Sequence, residues 1–314
     1  MENRISFIVP TFNRGTVLLS ALRTLFAQSI PAHEIIVVDQ STETSEDVTK
    51  QLQTWRQEGA IIWIEQSEPN ASMARNRGAL AASGDILVFL DDDIKVEHDF
   101  VEAYTRAFED PAVRGVAGQV LEGARETVSV LHARAADSEI GWMFCSRNYD
   151  KPFVGSFLMA GNMGVRRDDF FVVGGMDERF YRGAFREESD FAMRWRKSGR
   201  VFHYRPDVSI YHLGGAGIAG GGARHWTRRN RWMGWHHYFG SWYFLLNHAT
   251  WRSLPHLLAV DLRSAGINRR TLKYPWMIPF HLCRWLSALP YALWCRMKGP
   301  LLIANGPGAQ VAER

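Results

Sequence analysis

Three adjacent carboxylates, Asp91-Asp92-Asp93, directly follow the apolar run Ile86-Leu-Val-Phe-Leu90. Such a run suits a buried strand. Three anions at its end repel one another unless a cation joins them, and hard divalent cations take oxygen ligands. A solvated acidic turn is the other reading of these residues taken alone. A second acidic cluster, Glu187-Glu188-Ser-Asp190, opens a helical pattern that reaches Ser198. Anions there favour a helix N-terminus, or one of them takes a proton from a hydroxyl as a general base. Polar residues end two further apolar runs, with Thr11-Phe-Asn-Arg14 after Val9-Pro10 and Asp39 after Ile35-Ile-Val-Val38. For Asn13 or Asp39 alone, a turn or helix cap is the structural alternative.

The elements that must position these groups alternate. Residues 5–9, 34–38, 61–64, 86–90 and 115–120 read as strands, and 17–25, 46–57, 72–82 and 97–108 carry helical spacing. This order predicts an α/β fold with a mostly parallel sheet, Rossmann-like in its first half, covered by helices on both faces. The ends of successive parallel strands lie along one edge, so Thr11, Asn13, Arg14, Asp39 and Asp91 to Asp93 are expected to line one crevice. One carboxylate there can accept the N3–H of uracil or thymine, while a second carboxylate pair holds a metal on phosphate. Residues 121–156 are irregular, with Trp142, Phe144 and Tyr149 among them, and read either as an acceptor-contacting loop or as an exposed structural one.

Four segments, Val9-Pro-Thr-Phe-Asn-Arg14, Val37-Val-Asp-Gln-Ser41, Ala74-Arg-Asn76 and Phe89-Leu-Asp-Asp-Asp93, in this order and spacing resemble the family 2 inverting glycosyltransferases of GT-A fold. The resemblance extends over roughly residues 5–212. It implies that Pro10, Thr11, Asn13 and Arg14 form a nucleotide-binding turn, that Asp39 binds the base, and that Arg75 contacts the donor. It makes Asp91 and Asp93 a DXD pair, with Asp91 on the ribose or a metal-bound water, Asp93 on Mn2+ or Mg2+, and Asp92 in the variable middle position. The segments 157–166 and 173–180 resemble the part of the family that leads to the acceptor side. The family writes Glu-Asp-x-Asp-Leu where this chain has Glu187-Glu188-Ser-Asp190-Phe191, so Glu188 takes the place of the catalytic base and Glu187 remains its rival. Residues 201–212 resemble a hairpin or strand pair closing the catalytic region. His212 at its end either adds an imidazole to the metal or is a structural histidine. The implied reaction is metal-dependent transfer of a sugar from a UDP- or dTDP-sugar to a saccharide or lipid-linked saccharide. In it a base takes the proton of the acceptor hydroxyl, and a single displacement inverts the anomeric carbon.

Composition narrows the alternatives. The chain of 314 residues is 46% hydrophobic and 22% charged with a formal net charge of +4, which gives no argument for nucleic acid. Three widely spaced cysteines without a CxxC indicate neither a disulfide framework nor a zinc site, and with a strand beginning at residue 5 they suggest a reducing cytoplasm. Gly215-Ala-Gly217-Ile-Ala-Gly220 matches GxGxxG. A dinucleotide site would need an acid about 20 residues later, and none occurs between Asp207 and Asp261, so a mobile loop or an inert linker is the better reading. Arg224, His225, Arg228, Arg229 and Arg231 follow, and tryptophans concentrate from Trp226 to Trp294. Residues 1–222 are therefore expected to form the catalytic domain. Residues 223–314 are expected to form a helical, basic extension lying peripherally on the cytoplasmic membrane face. The competing reading is an ordinary core or oligomer-forming extension. Prolines at 275, 279 and 290 and Arg284 argue against a straight membrane span. A sugar nucleotidyltransferase and a non-catalytic saccharide-binding protein are the other functional readings.

Overall fold

The structure, a computed structural model, describes residues 3–122, 126–137, 140–156, 158–182, 185–213, 234–265 and 269–304. Four strands, β1 (Ile5–Thr11), β2 (Glu34–Asp39), β3 (Ile62–Glu65) and β4 (Ile86–Leu90), pair in parallel in the order β3-β2-β1-β4. Every residue of β1 and β4 is buried, as expected of strands covered on both faces. Beyond β4 the sheet becomes mixed. β8 (Asn162–Arg166) runs antiparallel between β4 and β6 (Gly115–Glu122), and β6 pairs in parallel with β9 (Phe202–His212). The short strands β5 (Ile94–Val96) and β7 (Phe153–Gly155) are both antiparallel to β9.

Alternate residues of β1 face opposite layers. Phe7 and Val9 join Leu18, Leu22 and Leu25 of α1 (Thr16–Phe26), Val48 and Leu52 of α2 (Glu46–Gln57), and Phe100 and Tyr104 of α4 (Phe100–Ala107). Ile8 joins the other core, built with α3 (Ala71–Ala81), α5 (Arg167–Val173) and α6 (Glu187–Lys197). Burying each such side chain contributes about 1.5–3 kcal/mol. At Gly78 of α3 a Cβ would lie 2.4 Å from Ile8 Cγ2, so glycine lets this helix sit directly on β1. Asn70 caps α3 by accepting the Met73 amide at 3.0 Å, and its Nδ2 donates to the Glu178 carbonyl.

Residues 202–212 form one strand where a hairpin or strand pair was expected. Pro206-Asp207 reads as a turn in sequence. In the fold it falls at a shift in the β6–β9 register between Gly118 and Gln119, with Arg205 opposite Gly118 and Ser209 opposite Gln119. Asn162 holds this irregularity: its Nδ2 donates to the carbonyls of Gln119 and Val208, and its Oδ1 accepts the Tyr104 hydroxyl. Because Asn162 also pairs with Leu90, the residue before Asp91, it ties the ends of β4, β6 and β9 together.

The C-terminal part is helical, with α7 (Trp235–His248), α8 (Leu254–Ala265), α9 (Arg269–Lys273) and α10 (Met277–Lys298). Tyr243, Phe244, Trp285, Ala288 and Ala292 on their inner faces belong to the same core as Ile8 and Phe191. Trp242 and Trp285 stack at 4.3 Å between centroids, and Trp242 Nε1 donates to the Trp285 carbonyl. Two prolines read as interruptions are accommodated in α10. Pro279 lies in its first turn, where backbone N–H groups lack helical partners in any case, and Pro290 lies inside it. No helix among the described residues is long and apolar enough to cross a membrane. The glycine-rich stretch 214–222, Arg224, His225, Arg228, Arg229 and Arg231 lie outside the described residues.

Candidate active site

The strand ends and the start of α6 meet at a cavity of about 380 Å³. Pro10, Thr11, Arg14, Arg75, Asp91, Asp92, Asp93, Glu187, Glu188 and His212 all line it, and of the residues expected along one crevice Thr11, Arg14 and Asp91 to Asp93 are among them. Asn13 and Asp39 are not. For Asp39 the strand order explains this, because β1 lies between β2 and β4 and strand spacing is about 4.8 Å. Asp39 Oδ1 accepts the Ser41 amide at 2.9 Å, and its neighbour Gln40 faces the cavity instead. Asn13, held at φ 52°, accepts the amides of Thr42 and Glu43 and so fastens the β1 turn to the β2 turn.

The three aspartates occupy unequal environments. Asp92 is buried and accepts the Thr11 hydroxyl at 2.7 Å, with Arg14 Nε 3.3 Å away. Burial pushes its carboxyl up to about 7 against the pull of Arg14. The middle position is thus tied into the turn. Asp93 is also buried, 3.0 Å from the Arg14 guanidinium on one side and 3.1 Å from His212 Nε2 on the other. Asp91 is the most open of the three, its side chain 36% exposed, with Arg75 at 3.8 Å and His212 Nε2 at 3.7 Å.

His212 reaches this position through the backbone. β5, which begins directly after Asp93, pairs Ile94 with His212, and the Leu213 amide donates to the Asp93 carbonyl at 2.8 Å. The hydrogen bond to Asp93 raises the imidazole pKa. One ligand atom each from Asp91, Asp93 and His212 lies within 4.8 Å of the others. Two carboxylates and an imidazole form a donor set that suits a divalent ion such as Mn2+ or Mg2+, so the residues fit a metal. Glu122 Oε1, 3.6 Å from His212 Nδ1, orients the ring from behind. Sequence reasoning missed Glu122 because it lies at the far end of β6 and meets His212 only through the β6–β9 register.

At the opposite wall the two glutamates differ. Glu187 is 2.7 Å from Arg75. Glu188 accepts the Ala160 amide at 2.8 Å and makes no other hydrogen bond or ion pair among the described residues. Burial pushes its pKa up to about 7, the Ala160 hydrogen bond opposes that, and the nearby Glu187 adds to it. Asp190 turns away from the cavity and is buried between Arg194 and His248, at 2.8 and 2.7 Å. Gly161 beside Glu188's partner Ala160 has a steric reason: a Cβ there would lie 2.2 Å from Asp91 Oδ2. Arg182, Phe185, Arg186 and His237 also line the cavity, and nothing in their sequence spacing marks them.

A parallel β-α half joined to a mixed half, with an acidic crevice at the junction, defines the GT-A class of glycosyltransferase folds. The chain belongs to the family described as glycosyl transferase family 2, whose profile matches residues 6–172. Glycosyltransferase GlyA of Streptococcus pneumoniae is 34% identical over 103 residues, 32% of this chain and 14% of that protein. O-antigen chain rhamnosyltransferase RfbN of Salmonella typhimurium is 28% identical over 133 residues, 42% of this chain and 41% of its own length. The matches thus span less than half of either relative. Among solved structures, mannosyltransferase PcManGT of Pyrobaculum calidifontis, in complex with GDP-Man and Mn2+, superposes with a TM-score of 0.52 at 17% identity. It covers 94% of this chain and 76% of that one. Staphylococcus aureus TarS 1-349 gives 0.56 at 13% identity, covering 91% and 81%. At such identities the likeness shows the fold.

Proposed function

We propose that the chain is a metal-dependent inverting glycosyltransferase moving a sugar from a nucleoside-diphosphate sugar to a saccharide or lipid-linked saccharide. The observation that carries this reading is the meeting, in one cavity, of a metal-capable Asp91–Asp93–His212 cluster with a carboxyl, Glu188, that burial holds near neutral pKa. PcManGT was solved with GDP-Man and Mn2+, and GalNAc-T7 with UDP, GalNAc and Mn2+, which supports the donor class and the ion. The donor nucleotide is UDP or dTDP if Asp39 reads the base.

In this account Asp91, Asp93 and His212 would hold the ion, which would supply Lewis-acid stabilisation of diphosphate charge when bound. Pro10, Thr11, Asn13 and Arg14 shape the nucleotide-side turn, with Asp39 and Asp92 supporting it. Arg75 adds positive charge between Asp91 and Glu187. Glu188 takes the proton of the acceptor hydroxyl as that oxygen attacks the anomeric carbon. Its single amide hydrogen bond favours it over Glu187, whose carboxylate is paired with Arg75 at 2.7 Å. One displacement inverts the centre. Nucleotide release from a panel of UDP-, dTDP- and GDP-sugars is expected with Mn2+ and is lost on chelation. Release that survives chelation contradicts the metal, and sugar binding without any release supports a binding protein instead.

Residues 223–314 form, in this reading, a membrane-proximal extension. Trp276, Phe280, Leu286, Leu293, Trp294 and Met297 are exposed along α10, and no acidic residue occurs from 262 to 312, while Lys273, Arg284, Arg296 and Lys298 flank the stripe. Aromatic and apolar groups rimmed by cations suit an anionic lipid surface. The full chain is expected to float with anionic vesicles and a chain ending near Arg270 is not. Unchanged association of the shorter chain removes α10 as the contact.

A further inference from the structure

Arg186 is the residue whose placement the reaction above leaves unused. It precedes Glu187 and Glu188 and sits in the left-handed region at φ 78°, an unusual conformation for a non-glycine residue. This conformation turns the chain into α6 at the cavity wall. Three aromatic rings surround its guanidinium, with Phe185 at 4.5 Å and Trp142 and Phe244 each at 5.6 Å from the guanidinium carbon. Among the described residues it makes no side-chain hydrogen bond and no ion pair. The other arginines at the strand-end wall are committed: Arg14 to Asp92 and Asp93, Arg75 to Glu187 and Asp91. Arg186 thus lines the cavity as a caged cation whose planar N–H donors form no hydrogen bond to a carboxylate among the described residues, with the charges of Asp261 and Glu188 acting on it from nearby.

Its cage also shows which side of the reaction it serves. Trp142 lies in the turn Gly141–Phe144 and Phe244 on α7, away from the strands β1 to β4 that carry the donor-side carboxylates. The same two rings line a second cavity of about 390 Å³, bordered by Arg196, Lys197 and His248 and by no acidic residue. Basic side chains therefore continue from Arg186 to Arg196 and Lys197.

Resting on the glycosyltransferase reading, we propose that Arg186 is an acceptor-recognition residue. It selects a saccharide that carries an anionic group, a phosphate or a carboxylate, near the hydroxyl that Glu188 deprotonates. A guanidinium engages either group through paired, charge-assisted hydrogen bonds, and the ring cage fixes its plane before the acceptor arrives.

The test is titration calorimetry on the full chain, with Mn2+ and whichever of UDP, dTDP or GDP binds most tightly. The saturated protein is titrated with methyl glucoside, glucose 6-phosphate and glucuronate. At least one charged sugar is expected to bind about tenfold or more tightly than methyl glucoside, as a charge-assisted hydrogen bond implies. Preference for the phosphate or for the carboxylate identifies the source of the charge. Arg186→Gln is expected to abolish that preference while leaving nucleotide affinity and melting temperature unchanged, and Arg186→Lys to retain part of it. Equal binding of the three sugars by the wild type, or an unaltered preference in Arg186→Gln, overturns the proposal. Loss of nucleotide affinity in Arg186→Gln also overturns it, by making Arg186 a donor contact. A wild-type chain that binds none of the nucleotides instead fails the glycosyltransferase reading itself.

Discussion

The two acidic walls of the cavity are compensated in different ways. At the end of β4, Arg14 spans Asp92 and Asp93, Thr11 bonds Asp92, and His212 faces Asp93 across the β5–β9 ladder. At the start of α6, Arg75 pairs with Glu187 while also reaching Asp91, and Glu188 keeps one amide. Carboxylates tied to a hydroxyl and a shared cation hold a fixed geometry. A buried carboxylate left without one is driven toward its neutral form and becomes a base that works near neutral pH. The first wall is built to hold its carboxylates in place, and the second leaves one carboxyl without an ion-pair partner among the described residues.

Breaking the first wall has the largest expected effect. Asp93→Asn is expected to lower nucleotide release with Mn2+ by about a thousandfold, since the ion is asked for several kcal/mol of charge stabilisation. Turnover within a factor of a few of the wild type would remove the metal from the strand end. Arg75→Gln tests the pairing that distinguishes the two glutamates. It leaves Glu187 buried without its cation and is expected to cost about 3 kcal/mol in urea unfolding. An unchanged denaturation midpoint would mean that the Glu187 pair contributes nothing to the fold.

The smaller effect is on pH. With the Glu188 carboxyl near 7, the transfer rate is expected to rise about tenfold per unit below pH 7 and to level off above it, because only the ionised form accepts a proton. Burial sets this value first, the Ala160 amide opposes it, and the charges of Glu187, Arg75 and Asp91 follow. The stability sign is opposite. An acid whose pKa is raised by folding destabilises the fold as pH climbs from its usual value of 4.5 toward 7, so Glu188→Gln is expected to gain thermal stability over the wild type between pH 5 and 8. A parallel pair of melting curves across that range would contradict the raised value.

Much of this arrangement was legible in the sequence, for reasons that particular residues show. Asp91 to Asp93 were readable because a fully apolar strand delivers them to a sheet edge within one step of chain. Glu187 and Glu188 were readable because they open a helical pattern and match the acidic segment of the family that the chain resembles. Asp39 was placed in the crevice too closely, because its register is local while its distance from Asp91 depends on β1 inserting between their strands. Glu122 and Arg186 were not legible at all. The first meets His212 through a register shifted by the bulge at Pro206-Asp207, and the second owes its cage to Trp142 and Phe244, 44 and 58 residues away in the chain. Long-range packing of this kind leaves no spacing for a single sequence to display.

The most direct test of the account is the isosteric pair Glu188→Gln and Glu187→Gln, each assayed for nucleoside-diphosphate binding and for sugar transfer with Mn2+. Glu188→Gln is predicted to bind nucleotide as the wild type does while transfer falls by about a hundredfold or more, with Glu187→Gln the less impaired in transfer. Transfer retained in Glu188→Gln and lost in Glu187→Gln would contradict the assignment of the unpaired glutamate as the base.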